Sequence, residues 1–125
     1  MMVHIMPTKE QFKKLMSQAY KGPIVMVNLL KFKPDGGAES YRKYYEATEK
    51  LMSGKAITKI VYRGAGLMPV IGDDEWDEIA LYKYPSIEAF IEMNRDKEYQ
   101  AVVHFRTEAL LDSRLYCTIE QKENL

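Results

Sequence analysis

The nine-residue run Ile24–Phe32 limits the possible folds more than any other segment of this chain. Its hydrophobic side chains occupy both even and odd positions, whereas a strand with one face in water alternates hydrophobic with polar residues. Gly22 and Pro23 precede the run, and a turn at 34–37 follows it. The run therefore predicts a strand that is covered on both of its faces.

The patterns on either side of this strand predict further helices and strands. Thr8 and Gln11 form a capping box that opens the first helix, and Asp96 caps the last one. The predicted elements are helices at 8–20, 40–54, 85–91 and 96–110, an extended segment at 56–71, strands at 76–84 and 115–119, and a loose tail at 121–125. Apart from the first helix, this order is the ferredoxin-like βαββαβ arrangement. We therefore predict an α+β fold with a four-stranded antiparallel sheet, helices on one face and an extra N-terminal helix.

The predicted sheet has one face without helices. In the strand at 76–84, Trp76, Ala80 and Tyr82 point to one face, while Ile79 and Leu81 point to the other. Large hydrophobic areas are seldom left in water, and a second copy of the same sheet is the simplest cover. We therefore expect a homodimer.

Length and charge narrow the classes of function. The chain has 125 residues, with 18 Lys+Arg and 18 Asp+Glu, which fits one domain over residues 1–125 with its core at about 23–120. Affinity for nucleic acid comes chiefly from basic side chains that displace counterions, so we expect no nucleic-acid partner. One cysteine cannot form an internal bridge, and no hydrophobic stretch approaches the ~20 residues of a membrane span. We expect a cytoplasmic protein without a membrane partner.

Six short segments of the chain, taken in order, resemble a known family. They are MVNLLKF at 26–32, YRGA at 62–65, WDE at 76–78, YPSIEAF at 84–90, EYQ at 98–100 and HFRT at 104–107. The set resembles the domain of unknown function 1330 family, which belongs to the dimeric α+β barrel superfamily. The resemblance covers about 23–116 and implies a homodimer whose sheets pack face to face, with a pocket in each subunit between sheet and helices. The helix at 8–20 departs from the minimal family pattern, and packing explains it more simply than a lid.

Asn28 and Arg106 are the first candidates for ligand binding. Asn28 interrupts the hydrophobic run, and a buried amide needs hydrogen-bond partners. It is either a satisfied polar residue at a bend or bulge, or a pocket residue that orients a ligand. Arg106 falls on the hydrophobic side of its predicted helix, seven residues after Tyr99. A buried arginine needs a carboxylate, carbonyls or an anionic ligand, so both a structural ion pair and an anion site stay open.

Arg63 is a further polar candidate, either for the same anion or as a residue at the sheet edge. A hairpin turn at 72–75 places Arg63 opposite about Tyr84, and Asp77 opposite about Val70. These positions are roughly 20 Å apart along the strand, so we expect no ion pair between Arg63 and Asp77.

The aromatic residues are candidates for the walls of a pocket. Tyr41, Tyr44 and Tyr45 recur at helical spacing, and with Trp76 they could surround a planar ligand. An aromatic stripe at this spacing is more often plain core. If a pocket exists, we assign its walls to Tyr41, Tyr45 and Trp76.

No motif indicates a cofactor or a metal ion. One cluster of acidic residues lies between the second and third predicted strands, and its members are Asp73, Asp74, Glu75, Asp77 and Glu78. They lack metal-ligand spacing and a nearby histidine, which favours a solvated hairpin tip. Some members of the superfamily bind haem through a helical histidine, but His104 lies on the outward side of its helix, where solvation is the commoner state. We expect neither cofactor nor metal.

Two functional hypotheses remain. The first is a homodimer that binds a small anionic or polar aromatic metabolite, with Asn28 and Arg106 fixing its polar groups. Because the superfamily includes cofactor-free oxygenases and isomerases, it implies cofactor-independent oxidation or isomerisation for an enzyme of this kind. The second is a non-catalytic ligand-binding or stress-associated dimer in which the buried Asn28 and Arg106 are structural. An open cavity at Arg106 favours the first, and a sealing carboxylate favours the second.

Overall fold

The computed structural model describes residues 4–55 and 58–121 of the chain. The elements are α1 (Lys9–Met16), β1 (Ile24–Phe32), α2 (Gly37–Lys55), β2 (Lys59–Ala65), β3 (Glu78–Tyr84), α3 (Ile87–Arg95), α4 (Lys97–Val102), α5 (His104–Ala109) and β4 (Leu110–Thr118). The strands form one antiparallel sheet in the order β2-β3-β1-β4. This topology confirms the predicted ferredoxin-like α+β fold, and α1 is the predicted extra helix. None of the helices in the described ranges is both long and hydrophobic enough to cross a membrane.

The central strand β1 has one face that is fully covered and one that is not. Ile24, Met26 and Leu30 are at most 3 % exposed and lie on the face that the helices cover, which we call the inner face. The odd-numbered residues between them, two valines and a leucine, are half-buried on the opposite face, which we call the outer face. The outer face of a single chain therefore keeps hydrophobic side chains partly in water.

The helices bury the inner face in two groups of residues. The larger group packs β1 against Phe90 and Ile91 of α3 and against Tyr99 of α4. The smaller group packs Leu30 of β1 against Tyr41 of α2. Phe90 and Ile91 thus point inward, as their helical spacing predicts.

Hydrogen bonds at the helix starts follow from the local sequence. The Thr8 hydroxyl accepts from the Gln11 backbone N–H at 3.1 Å, and the Gln11 side chain accepts from the Thr8 backbone N–H, which confirms the capping box. The Ser86 hydroxyl accepts from the Ala89 backbone N–H at 3.0 Å. The Asp96 carboxylate accepts from two backbone N–H groups of α4. Each cap satisfies N–H groups that have no partner within the helix.

The predicted hairpin register is wrong. Arg63 pairs with Ala80 and not with Tyr84, and β3 begins at Glu78 and not at residue 76. The predicted extended segment is shorter than expected, since β2 ends at Ala65. The first residues of that segment, 56 and 57, and residues 122–125 of the predicted tail lie outside the described residues.

Asp77 explains why the hairpin does not continue to a tight turn. Its backbone N–H donates to the Leu30 carbonyl at 2.8 Å, and its carboxylate accepts from the Phe32 backbone N–H at 2.8 Å. Asp77 is therefore held by β1 and does not face Val70 across a hairpin. A β-bulge between Ile60 and residue 62 shifts the register of β2 as well.

Three other boundaries differ from the prediction. The helix expected at 96–110 is two helices that meet at Val103. β4 begins at Leu110 and not at residue 115, because the polar residues Asp112, Ser113 and Arg114 conceal the strand pattern. α2 begins at Gly37, three residues before the predicted start at residue 40, and extends to residue 55. Ser40 therefore lies within the helix, and its hydroxyl group donates to the Phe105 carbonyl at 2.8 Å.

Candidate functional site

A row of three residues crosses the middle of the inner face. Asn28 on β1 and Arg63 on β2 both pair with Ala80, which lies between them on β3. Paired residues on neighbouring strands point to the same face, so all three lie on the inner face. The Ala80 side chain is a single methyl group and is fully buried, at 0 % exposure. Two of the predicted site residues, Asn28 and Arg63, therefore flank one small side chain on the inner face.

Arg63 forms an ion pair with Glu78, which precedes Ala80 by two residues on β3. The Arg63 Nε and Nη2 atoms donate to the two carboxylate oxygens at 2.9 and 3.2 Å. The Glu78 side chain is 11 % exposed and that of Arg63 is 33 % exposed. Hydrogen bonding to Glu78 raises the pKa of Arg63 above its ordinary value. The guanidinium group also lies 4.0 Å from the centre of the Tyr45 ring, which holds it from the side of α2.

Two tyrosine hydroxyl groups complete this polar cluster. Burial raises the pKa of Tyr41 well above its ordinary value; Tyr82 and Glu78 raise it further, while Arg106 and Arg63 lower it. Burial likewise raises the pKa of Tyr82 to about 12. Both side chains are therefore protonated at neutral pH, and a hydrogen bond from Tyr41 lowers the pKa of Tyr82 against the effect of burial.

The Asn28 amide is the polar group of this cluster without a protein partner. The residue is 8 % exposed, and its side chain forms no hydrogen bond with the part of the chain that the structure describes. No fully enclosed polar side-chain atom in that part lacks a partner, so the amide must keep a small contact with accessible space. We call the region bounded by Asn28, Tyr41, Arg63, Glu78 and Tyr82 the chamber. A buried amide left in this state is ready to bind a polar ligand atom.

A cavity of about 190 Å³ lies next to the chamber, between α2 and the β2–β3 hairpin. Its walls are Tyr45, Thr48, Glu49, Met52, Thr58, Ile60 and Tyr82. Cavities of about 150 Å³ accommodate a molecule of the size of benzene. Tyr82 also bounds the chamber, and Tyr45 contacts Arg63, so the cavity adjoins the residues of the chamber.

Arg106 reaches neither a carboxylate nor this cavity. Its Nη1 atom donates to the Ile5 carbonyl oxygen at 2.6 Å, and no ion pair with a carboxylate forms within residues 4–55 and 58–121. Arg106 nevertheless lies close enough to Tyr41 and Tyr44 to lower the pKa of both against the effect of burial. It therefore contributes positive charge beside the chamber without bounding it.

Tyr44 belongs to the core and not to the site. Its hydroxyl group shares a 2.8 Å hydrogen bond with the Tyr99 hydroxyl group. The rings of Phe32, Tyr41 and Tyr44 pack in series, with successive ring centres 5.3 Å apart. This aromatic series fixes the position of Tyr41 over the sheet.

Trp76 lies apart from the other predicted wall residues. The Arg114 guanidinium group lies 5.3 Å from the centre of the Trp76 indole. Arg114 pairs with Leu29, so it lies on the outer face of β4. The structure thus places Trp76 on the outer side of the sheet, whereas Tyr41 and Tyr45 lie on the inner side.

Glu78 and Tyr82 are site residues that the sequence reasoning missed. Glu78 was expected at a solvated hairpin tip, but it is 8 % exposed within the sheet. The missed signal is the alternation of Glu78, Ala80 and Tyr82 along one face of β3. A charge at a buried position of a strand needs a partner, and Arg63 supplies it.

The remaining chemistry-bearing side chains do not assemble into a second centre. In the described ranges, no three His, Cys, Asp or Glu side chains approach one another closely enough to hold a metal ion. His104 is exposed and lies against the Phe105 ring, with 4.2 Å between ring centres. Burial raises the pKa of the Cys117 thiol, which opposes its ionisation to a reactive thiolate.

Comparison with known proteins gives a family and a structural relative over the full chain. The family model described as Domain of unknown function (DUF1330) matches residues 36–116, which include Tyr41, Arg63, Glu78 and Tyr82. No curated protein matches the sequence. A solved protein of unknown function from Rhodopseudomonas palustris is 35 % identical; the alignment covers 98 % of this chain and 100 % of that chain, with a TM-score of 0.89.

More distant solved structures share the fold alone. A dimeric protein of unknown function with a ferredoxin-like fold from Bacteroides fragilis is 16 % identical over 81 % of this chain and 100 % of that chain, with a TM-score of 0.61. Hydroxynitrile lyase from Passiflora edulis is 11 % identical over 83 % of this chain and 98 % of that chain, with a TM-score of 0.68.

Proposed function

This chain belongs to the family described as domain of unknown function (DUF1330), and on that premise we propose that it is a homodimer that binds a small planar metabolite at the chamber of each subunit. The observation that carries the proposal is the Asn28 amide, which is 8 % exposed and has no hydrogen-bond partner among the described residues. A largely buried amide without a protein partner is stabilised by any water or ligand atom that completes its hydrogen bonds. The Arg63–Glu78 ion pair and two protonated tyrosines lie beside it.

The groups at the chamber define the chemistry of the ligand. Asn28 offers both a donor and an acceptor, while the hydroxyl groups of Tyr41 and Tyr82 offer donors to an oxygen atom. The charges of Arg63 and Glu78 offset each other, so the positive charge nearby that has no ion pair among the described residues is that of Arg106. These features favour a small aromatic or enolisable compound that carries a carbonyl, phenol or single carboxylate group. The adjoining cavity of about 190 Å³ limits its ring portion to roughly the size of benzene.

The same groups suit an enzyme that stabilises negative charge on oxygen. In a cofactor-independent oxidation or isomerisation, an enolate or phenolate oxygen develops negative charge in the transition state. Donors that already point at that oxygen lower the barrier, because they need no reorganisation. The protonated Tyr41 hydroxyl and the nearby Arg106 are the donor and the charge that this chain offers. Proteins of this fold include a lyase, so the fold itself is compatible with catalysis.

A non-catalytic ligand-binding dimer is the second candidate. The Arg63–Glu78 pair favours it, because two of the polar residues of the chamber already satisfy each other. In this case Asn28 alone fixes the ligand, and the ion pair is structural.

The outer face supports the homodimer. Two valines and a leucine of β1 are half-buried there, and Tyr116 of β4 is 73 % exposed. A second copy of the sheet covers these side chains, and the related fold from Bacteroides fragilis is described as dimeric.

A thermal-shift screen with two matched variants tests the binding site. The panel contains hydroxybenzoates, small aromatic ketones and short keto acids, because these carry the oxygen groups that the chamber fits. A ligand at 100 times its Kd stabilises the folded protein by about 2.7 kcal/mol, which raises Tm measurably. We expect a compound that raises the Tm of the wild type. Asn28→Leu should not respond to it, and Arg106→Ala should respond more weakly than the wild type, because Arg106 supplies positive charge beside the chamber without bounding it.

Sedimentation supplies the control, since both variants should keep the dimer of the wild type. A compound that raises the Tm of wild type and Asn28→Leu equally would contradict the chamber as the site. Unfolding of Arg106→Ala would show that Arg106 is structural.

A further inference from the structure

The connection between β2 and β3, residues 66–77, is a loop with a fixed base, and we call it the arm. At its base the Gly66 backbone N–H donates to the Asp77 carbonyl at 2.9 Å, and Asp77 is bound to β1. A Cβ atom added at Gly66 would lie 1.8 Å from the Trp76 carbonyl oxygen, so the base closes only with glycine there. The arm therefore leaves the sheet at a defined place and in a defined direction.

The arm carries large hydrophobic side chains that no described residue covers. Leu67 and Ile71 are each 95 % exposed, Val70 is 89 % exposed and Met68 is 67 % exposed. Single exposed hydrophobic side chains are common on protein surfaces, but four within five consecutive positions of an anchored loop are not. Such a group marks a surface that another protein covers.

We infer that the hydrophobic part of the arm packs on a second copy of this chain. The inference rests on the proposed homodimer and extends it, because it makes the arm a part of the interface. The position of Trp76 supports this partner. Trp76, near the end of the arm, lies against Arg114 on the outer face of β4. A second copy that covers the outer face therefore meets the arm as well.

The charges of the arm support the same partner. Asp73, Asp74 and Glu75 follow the hydrophobic positions, and this negative charge opposes docking on an anionic membrane or on nucleic acid. At the far end of the β2–β3 hairpin, Lys59 lies directly opposite Lys83 on the outer face.

Like charges in a cross-strand pair repel each other. Among the described residues, Lys83 forms an ion pair with Glu120 at 3.7 Å, and both side chains of that pair are exposed. The lysine pair is roughly 17 Å along the strand from the base of the arm, because the five residues from 78 to 83 rise about 3.3 Å each. The acidic residues of a second copy are therefore the better match for these lysines.

Sedimentation of two double variants tests the arm. In Leu67→Ser/Ile71→Ser, both changed side chains are exposed in the single chain, so the fold of each subunit should persist. Loss of two large hydrophobic contacts should raise the dimer dissociation constant at least about 100-fold. The matched control is Met6→Ser/Met16→Ser, which removes exposed hydrophobic side chains near α1 and should leave the dissociation constant unchanged.

The outcomes separate the arm from the dimer itself. A wild-type dimer that Leu67→Ser/Ile71→Ser leaves unchanged overturns the role of the arm and keeps the homodimer. A wild-type monomer overturns both. Charge exchange is the second measurement: Asp73→Lys/Asp74→Lys should weaken the dimer, and adding Lys59→Glu/Lys83→Glu should restore it. A failure to restore it overturns the pairing of the acidic residues with the lysines.

Discussion

The Arg63–Glu78 ion pair gives the sharpest prediction about stability, because its two partners differ in burial. The Glu78 side chain is 11 % exposed, whereas that of Arg63 is 33 % exposed. Arg63→Met removes both hydrogen bonds and leaves a carboxylate in the sheet without its cation. Breaking a buried ion pair in this way costs about 3–5 kcal/mol. We expect a loss of about 3 kcal/mol, at the low end of this range, because Arg63 is partly exposed and solvent screens the pair.

Replacing the other partner should cost less. In Glu78→Met, the remaining Arg63 can turn its guanidinium group to solvent, so we expect a loss of about 1–2 kcal/mol. In the double variant no charge is left unpaired, and the loss should be about 1 kcal/mol or less. The double-mutant cycle should therefore give a coupling energy of about 3–4 kcal/mol.

Urea denaturation followed by far-UV circular dichroism measures each free energy of unfolding. All four proteins must be compared at one subunit concentration, because dimerisation contributes to the measured stability. Losses that simply add, or an Arg63→Met loss below about 1 kcal/mol, would mean that the pair behaves like a solvated surface contact and would refute this reasoning.

Three further predictions concern single polar side chains. Asn28→Leu should raise the free energy of unfolding by about 1 kcal/mol, because it removes a buried amide without a partner; a loss in urea denaturation would contradict this. Burial raises the pKa of Tyr82 to about 12, whereas tyrosine in an unfolded chain ionises near pH 10. Between these pH values the unfolded chain binds fewer protons than the folded chain. The free energy of unfolding should therefore be constant below about pH 10 and fall by about 1.4 kcal/mol per pH unit for each such tyrosine as the pH rises toward about 12. Urea denaturation at a series of pH values measures this slope, and a flat profile would refute the prediction. Ser86→Ala should cost about 1 kcal/mol through loss of the bond to the Ala89 N–H, and an unchanged urea midpoint would show that the cap is dispensable.

The order of the elements could be predicted because local rules decide it. The hydrophobic run of β1, the capping box at Thr8 and the Asp96 cap all depend on residues close in sequence. Each has a distinct pattern of hydrophobic spacing or hydrogen-bonding side chains. Such signals fix where helices and strands lie, and the order of those elements then identifies the fold.

The hairpin register could not be predicted because contacts distant in sequence decide it. Asp77 binds the backbone of Phe32, which is 45 residues away in the chain. That contact ends the hairpin at Glu78 and leaves the arm as a separate feature. The same error hid the partner of Arg63, since a wrong register places Arg63 far from Glu78.

The candidate site was predicted in part for the same reason. Asn28 and Arg63 stand out as polar residues in hydrophobic strands, and the structure brings both to Ala80. Trp76 lies on the opposite side of the sheet because the arm, and not a strand, carries it. The carbonyl partner of Arg106 belongs to Ile5, 101 residues away, and no local pattern indicates it.

Side-chain amide resonances in an NMR titration test the central claim most directly, because they report on Asn28 itself. The chain contains three asparagines, and the Asn94 amide donates to the Phe90 carbonyl at 2.8 Å, which makes Asn94 the internal control. The Asn28→Leu variant identifies the pair of peaks that belongs to Asn28. Titration with the compound that raises Tm should shift the Asn28 peaks and leave those of Asn94 in place. Asn28 peaks that do not move, or that move no more than those of Asn94, would contradict ligand binding at the chamber.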